Sequence, residues 1–217
     1  MLLIAITGGI ASGKSLAMEI LQELGCFTLD TDDIARELSA PNMPVHQAIF
    51  AHFGAEYFDE TNELDRKKLG DLIFTDEKAR ETLNNITHPI IMQVARERIA
   101  QAAKKAEKSG KDFIGVIAIP LLFEGGENLQ KLLPYDFSIL ITADDDIRVK
   151  RLMTTRGLDE KAARARINSQ MPESEKAKLA DFVITNNGTP AELREFLLQS
   201  YRVYEAKLSR KFNFVIL

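Results

Sequence analysis

Eight residues near the start of the chain constrain it more than anything else in it. Gly8-Gly9-Ile10-Ala11-Ser12-Gly13-Lys14-Ser15 spells G-x-x-x-x-G-K-[ST] and directly follows the apolar run Leu2-Leu3-Ile4-Ala5-Ile6-Thr7. A glycine-rich turn can be merely structural. A strand, the complete spacing and a following helical stretch from Lys14 to Leu24 together form the context of a phosphate-binding loop. Glycines 8, 9 and 13 let backbone N–H groups turn inward around phosphate oxygens, and the helix points its positive end at the same place. Gly9, Ala11, Ser12, Gly13 and Leu16 are thereby expected along a nucleotide. Lys14 supplies a point charge to the β and γ phosphates, and the Ser15 hydroxyl is placed to ligand Mg²⁺.

A phosphate loop opening on a strand needs a sheet behind it, and the rest of the chain supplies one. Strand patterns at 2–7, 26–29, 113–119, 136–142 and 181–185 alternate with helical segments, the order of an α/β fold with a five-stranded, mostly parallel sheet flanked by helices. Between the second and third strands lie roughly 80 residues with no strand pattern, too many for one crossover helix. They form a helical insertion. Val45-Ile49-Phe50-Phe53 has helical spacing, a polar turn runs from Asp59 to Glu63, and helical stretches follow at 65–74 and 76–86. Pro89 sits where a helix starts, so a separate helix is expected from Ile90 to Ala106. Gly54, Gly70 and Gly110 are expected at turns or caps, and Lys104, Lys105, Lys108 and Lys111 at a solvated helix end.

The formal net charge of −4 argues against a general nucleic-acid binder. No apolar run is long enough to span a bilayer, and Met1 leads straight into the first strand, so a cytoplasmic protein is expected. The one cysteine, Cys26, lies in the apolar segment Cys26-Phe27-Thr28-Leu29 and reads as a small core residue.

Three further clusters sit where strands end, the ligand edge of such a sheet. Leu29-Asp30-Thr31-Asp32-Asp33 follows the second strand. Its acids suit accepting a proton from a substrate hydroxyl or holding Mg²⁺, and equally suit capping the next helix. Arg36 lies one turn from Asp32 on the same cleft side. After the fourth strand, Asp144 to Gly157 carries Arg148, Arg151 and Arg156, a charge set suited to a lid that closes over a transferring phosphoryl group. After the fifth, Asn186-Asn187-Gly188 forms a turn before a helix over 190–209, near where a nucleotide base would lie. The apolar end Phe212-Asn213-Phe214-Val215-Ile216-Leu217 suits an added strand or an oligomer contact.

Laid side by side, these pieces resemble the dephospho-coenzyme A kinase family over nearly the whole length. The resemblance rests on Thr7 to Ser15, Asp30-Thr31-Asp32-Asp33-Ile34-Ala35-Arg36, His88-Pro89-Ile90-Ile91, Pro120-Leu121-Leu122-Phe123-Glu124 and Ala180-Asp181-Phe182-Val183-Ile184. It implies a P-loop kinase fold, ATP as donor with Mg²⁺, and dephospho-CoA as the small-molecule substrate, phosphorylated on its ribose 3′-hydroxyl. Asp32 matches the family's base or orienter and Arg36 its closing arginine. His88, Pro120, Leu121 and Glu124 then belong to substrate binding, and Asn187 to the nucleotide side. The implied division is a core of 1–35, 111–144 and 176–217, a CoA-binding insertion of 36–110 and a lid of 145–175, in a monomer or small homo-oligomer. Leu16 stands where the family usually has threonine, and Thr185 where it often has aspartate. Gln170-Met171-Pro172-Glu173 matches one of the patterns of the lid's far arm.

Competing classes fit less well. Another small-molecule or nucleoside monophosphate kinase shares the loop, lid and sheet, and only the substrate motifs favour dephospho-CoA. A GTP-binding switch would carry [NT]-K-x-D, which the chain lacks; its D-x-x-G, Asp112-Phe113-Ile114-Gly115, runs into a strand where a switch leaves one. A mechanical or DNA-linked ATPase is disfavoured because the third strand ends in Ile119-Pro120 and not in an acidic pair.

Overall fold

The computed structural model describes residues 1–124 and 127–209. Five strands form one sheet in the order β2-β3-β1-β4-β5: β1 (Leu2–Thr7), β2 (Phe27–Asp30), β3 (Ile114–Ala118), β4 (Phe137–Thr142) and β5 (Phe182–Thr185). The β1–β3, β1–β4 and β4–β5 pairs are parallel, with Leu2 opposite Ile114, Ile4 opposite Phe137 and Ile139 opposite Phe182. Apolar content decides position in the sheet. All of β3 and all of β1 beyond Leu2 are buried, as central parallel strands covered on both faces must be. At the edge, β5 buries only Ile184. Helices α1 (Lys14–Glu23) and α10 (Pro190–Ser209) bring Ala17, Ile20, Leu21, Leu193 and Leu197 onto Ile4, Ile6, Val116 and Ile139 in one apolar cluster. Each fully buried Leu or Ile there contributes about 1.5–3 kcal/mol. Cys26 belongs to the same cluster, and burial pushes its thiol up to about 11.

The chain separates into two compact units, one of Met1–Leu29, Gln101–Glu124 and Tyr135–Leu217, the other of Asp30–Ala100 and Gly125–Pro134. In the first, α7 (Asp145–Arg156), α8 (Glu160–Asn168) and α9 (Glu173–Leu179) follow β4. Val149, Leu152, Ala163 and Ile167 form a small core on which Ile10 and Ala11 pack, so α7 and α8 rest on the phosphate loop through apolar contact. The Asp181 carboxylate accepts from the N–H and hydroxyl of Ser138, both at 2.7 Å, which fixes the entry of β5 beside β4.

The second unit is helical: α2 (Thr31–Leu38), α3 (Pro44–Phe53), α4 (Arg66–Thr75), most of α5 (Glu77–Lys108), and α6 (Glu127–Leu132). Asp59 Oδ1 accepts from the N–H and hydroxyl of Thr61 and the N–H of Glu63, which builds the expected polar turn and holds its carboxyl below the usual range. Two expectations fail here. Pro89 does not start a helix; it lies inside the single 32-residue α5. The missing N–H costs about 3 kcal/mol. Thr87, Ile91, Met92, Ala95 and Ile99 keep one buried face across it, and that burial outweighs the break. Gly70 is likewise neither turn nor cap but the middle of α4, whereas Gly54 ends α3 at φ 85°. Among the described residues no helix is long and apolar enough to cross a membrane. The expectation for 212–217 lies outside the described residues.

Candidate active site

Parallel strands deliver their carboxyl ends to one edge, and β1 carries the phosphate loop there. Gly13 stands at φ 101° and the first α1 turn closes with Ala17 N–H on its carbonyl at 3.0 Å. Ala11 takes φ 62°, a left-handed conformation that strains a residue with a Cβ and that recurs at ligand sites. Lys14 and Ser15 are the first two residues of α1, with Ser15 exposed. Thr7 Oγ1 donates to Pro120 O at 3.1 Å, tying the loop's entry to the segment Pro120–Glu124 that leaves β3. Leu121 there is exposed.

Backbone groups of the loop are gripped by side chains from α7, the α8–α9 turn and the segment after β5. Arg148, 2% exposed, donates through Nε to Ile10 O at 2.9 Å. Arg151 donates through Nη1 to Ala11 O and Ser12 O at 3.2 Å and through Nη2 to Asn186 O at 2.9 Å. Gln170 Oε1 accepts the Ile10 N–H at 2.8 Å. Asn186 donates its side-chain amide to Ser12 O at 2.8 Å and fills the space a Cβ on Gly13 would need. Asn187 Oδ1 accepts the Asp144 N–H at 2.9 Å, joining the ends of β4 and β5. Arg156 is exposed at the end of α7, which Gly157 caps at φ 62°.

Glu124 lies partly buried in the same unit. Its Oε1 is 2.8 Å from Lys176 Nζ, which is completely buried and 3.8 Å from Glu173 Oε1. Glu173 Oε1 is in turn 3.8 Å from Arg148 Nη1.

The other candidates belong to the second unit. Asp30 is the N-cap of α2, its Oδ1 accepting the Asp32 N–H at 2.9 Å, and Asp32 and Asp33 stand in the first turn where they favour the helix dipole. Arg36 pairs with Asp33 at 3.2 Å, in the open, one turn along the helix. His88 is half-buried in α5, and desolvation holds its imidazole below the ordinary value of 6.5, so it is neutral at pH 7.

The model of the dephospho-CoA kinase family matches residues 2–192. The chain belongs to the dephospho-CoA kinase family. It is 40% identical over 195 residues to the dephospho-CoA kinase of Syntrophotalea carbinolica, covering 90% of this chain and 88% of that one. The structure of the dephospho-CoA kinase from Campylobacter jejuni is 31% identical with a TM-score of 0.61, over 94% of this chain and 98% of that one. That of TT1252 from Thermus thermophilus is 29% identical with a TM-score of 0.76, over 94% and 97%.

Within this dephospho-CoA kinase family member, the sequence reading chose Asn187 from the Asn186-Asn187-Gly188 turn where the structure brings Asn186 to the loop, and Lys176 escaped it altogether. Asn186 follows a strand at the ligand edge, a position signal that was available, but only packing distinguishes it from Asn187. Lys176 left no usable signal, because Glu173-Ser174-Glu175-Lys176-Ala177-Lys178 has the charge pattern of a solvated helix.

Proposed function

We propose that this chain transfers the γ-phosphoryl group of ATP to the ribose 3′-hydroxyl of dephospho-CoA, giving CoA, ADP and a proton. The observation that carries the reading is the complete loop Gly8–Ser15 between β1 and α1, in a chain that the family model spans from residue 2 to 192. The transfer is direct and in line: the 3′-oxygen bonds to the γ-phosphorus as the bond to the β–γ bridging oxygen breaks. Lys14 and backbone N–H groups of the loop from Gly9 to Leu16 hold the phosphates, other than those of Ile10 and Ser12, which donate to Gln170 Oε1 and Gly9 O. Ser15 offers an exposed hydroxyl oxygen at the helix start, a donor that fits Mg²⁺ alongside phosphate oxygens. Bound there, the ion would neutralise charge on the transferring and leaving phosphates.

Asp32 orients the 3′-hydroxyl or takes its proton, Arg36 holds substrate phosphate or ribose, and neutral His88 meets the substrate as a hydrogen-bonding group. Residues 36–110 receive the CoA portion, with Pro120 and Leu121 contributing from the core of 1–35, 111–144 and 176–217, and Glu124 supporting their segment through a carboxylate buried against Lys176. Residues 145–175 form the lid. Arg148 and Arg151 act through the loop whose carbonyls they hold, and exposed Arg156 meets phosphate directly. Asn187, its side chain occupied by Asp144, would contact adenine through its backbone. A cytoplasmic monomer or small homo-oligomer completes the proposal, in keeping with the single cysteine and modest negative charge. The test is ADP release with Mg-ATP and dephospho-CoA beside AMP, CMP, shikimate and no acceptor, with the product mass checked for one added phosphate. Turnover with dephospho-CoA alone is expected. Preference for another acceptor would overturn the substrate, and equal ADP release without acceptor would overturn the kinase reading.

A further inference from the structure

A carboxylate pressed against a loop built to bind triphosphate is electrostatically misplaced, and this protein has one. A Cβ on Gly9 would collide with Glu173 Oε1 and Arg148 Nη2, so both side chains abut the backbone of the phosphate loop. Both oxygens of Glu173 and both of Glu124 are shut off from solvent without an aligned hydrogen-bond donor. Their charge is met by Lys176, whose Nζ stands 2.8 Å from Glu124 and 3.8 Å from Glu173, and which is 0% exposed. Arg148 adds a second cation 3.8 Å from Glu173, but it is shared with Asp145 at 3.0 Å and with Ile10 O. Two buried carboxylates next to an anion site therefore take most of their counter-charge from the buried Lys176 ammonium, which alone of these two cations is not also bound to an exposed carboxylate. Unpaired buried charge is far more damaging than a neutral replacement of the whole group.

We propose that Lys176 is a positioning residue for the phosphate loop: it neutralises Glu124 and Glu173, keeping the field at Gly9 and Ile10 favourable to triphosphate. The proposal rests on the ATP-kinase reading above and deepens it. Charge balance predicts opposite signs for two substitutions that a packing role would make alike. Lys176→Met exposes the loop to uncompensated negative charge, and Mg-ATP affinity should fall on the order of 10-fold or more. Glu173→Gln removes negative charge, so affinity should hold or rise, by roughly up to 3-fold. The double variant should recover part of the Lys176→Met loss.

The experiment is titration calorimetry of Mg-ATP without acceptor on the full chain and the three variants, beside steady-state KM values for ATP and dephospho-CoA and thermal melts. A rise in KM for ATP larger than any change in KM for dephospho-CoA is expected for Lys176→Met. Weaker ATP binding in Glu173→Gln, unchanged binding in Lys176→Met, or a double variant as weak as the single would each overturn the proposal. If Lys176→Met does not fold, the sign of the Glu173→Gln change decides alone. Failure of the function reading looks different: the unaltered chain would then bind no Mg-ATP, or bind it and leave dephospho-CoA untouched.

Discussion

Lys14 and Asp32 should fail in different ways when removed. Asp32→Ala is expected to cut turnover by roughly 100-fold or more with ATP binding intact, as for a group acting on the reacting hydroxyl. Turnover near that of the unaltered protein would remove Asp32 from the mechanism. Lys14→Ala should weaken ATP binding and turnover together, since its charge meets the phosphates before and during transfer. Cys26 carries a pH prediction of its own. Its thiol sits at about 11 in the fold against an ordinary 9.0, so the unfolded chain loses the proton first. The stability from burying the neutral thiol is complete below pH 9 and is lost as pH rises toward 11. Urea midpoints across pH 8 to 10.5 should fall in the unaltered chain more steeply than in Cys26→Ala.

Among the helices, α5 gives the sharpest test of a misread signal. A proline that begins a helix is harmless and preorganised, so replacing it would not stabilise. A proline inside a helix omits a hydrogen bond and crowds the preceding turn. Because Pro89 lies inside α5, Pro89→Ala is expected to raise the melting temperature. A clear fall would mean that the local geometry around Pro89 is needed more than the missing bond. The misreading has a physical origin: a local rule for proline competes with a buried face from Thr87 to Ile99 whose partners are distant in sequence. The strands had no such competitor. Their apolar runs are long enough to mark all five within a residue or two, and α10 occupies the expected 190–209.

For the whole molecule, ligand binding to the folded state must appear as stability. Mg-ATP at about 100 times its Kd should add about 2.7 kcal/mol, without any acceptor present. In a chain of this size that corresponds to a shift of several degrees in melting temperature. Asp32→Ala should retain the shift and Lys14→Ala should lose most of it; equal shifts in both would detach the loop from nucleotide binding.

Local pattern alone determined the phosphate loop, the five strands and the helical insertion, because spacing and hydrophobic period are properties of neighbouring residues, and the ordered set of motifs carried the resemblance to the family. The strand order β2-β3-β1-β4-β5 and the single α5 were decided by burial across the fold. So was the grip on the loop. Arg148, Arg151, Gln170 and Asn186 reach Ile10, Ala11 and Ser12 across 138 to 174 residues of sequence. Lys176 shows the difference most clearly: in sequence it is one more charge on a short polar helix, and only packing removes it from water and sets it between Glu124 and Glu173.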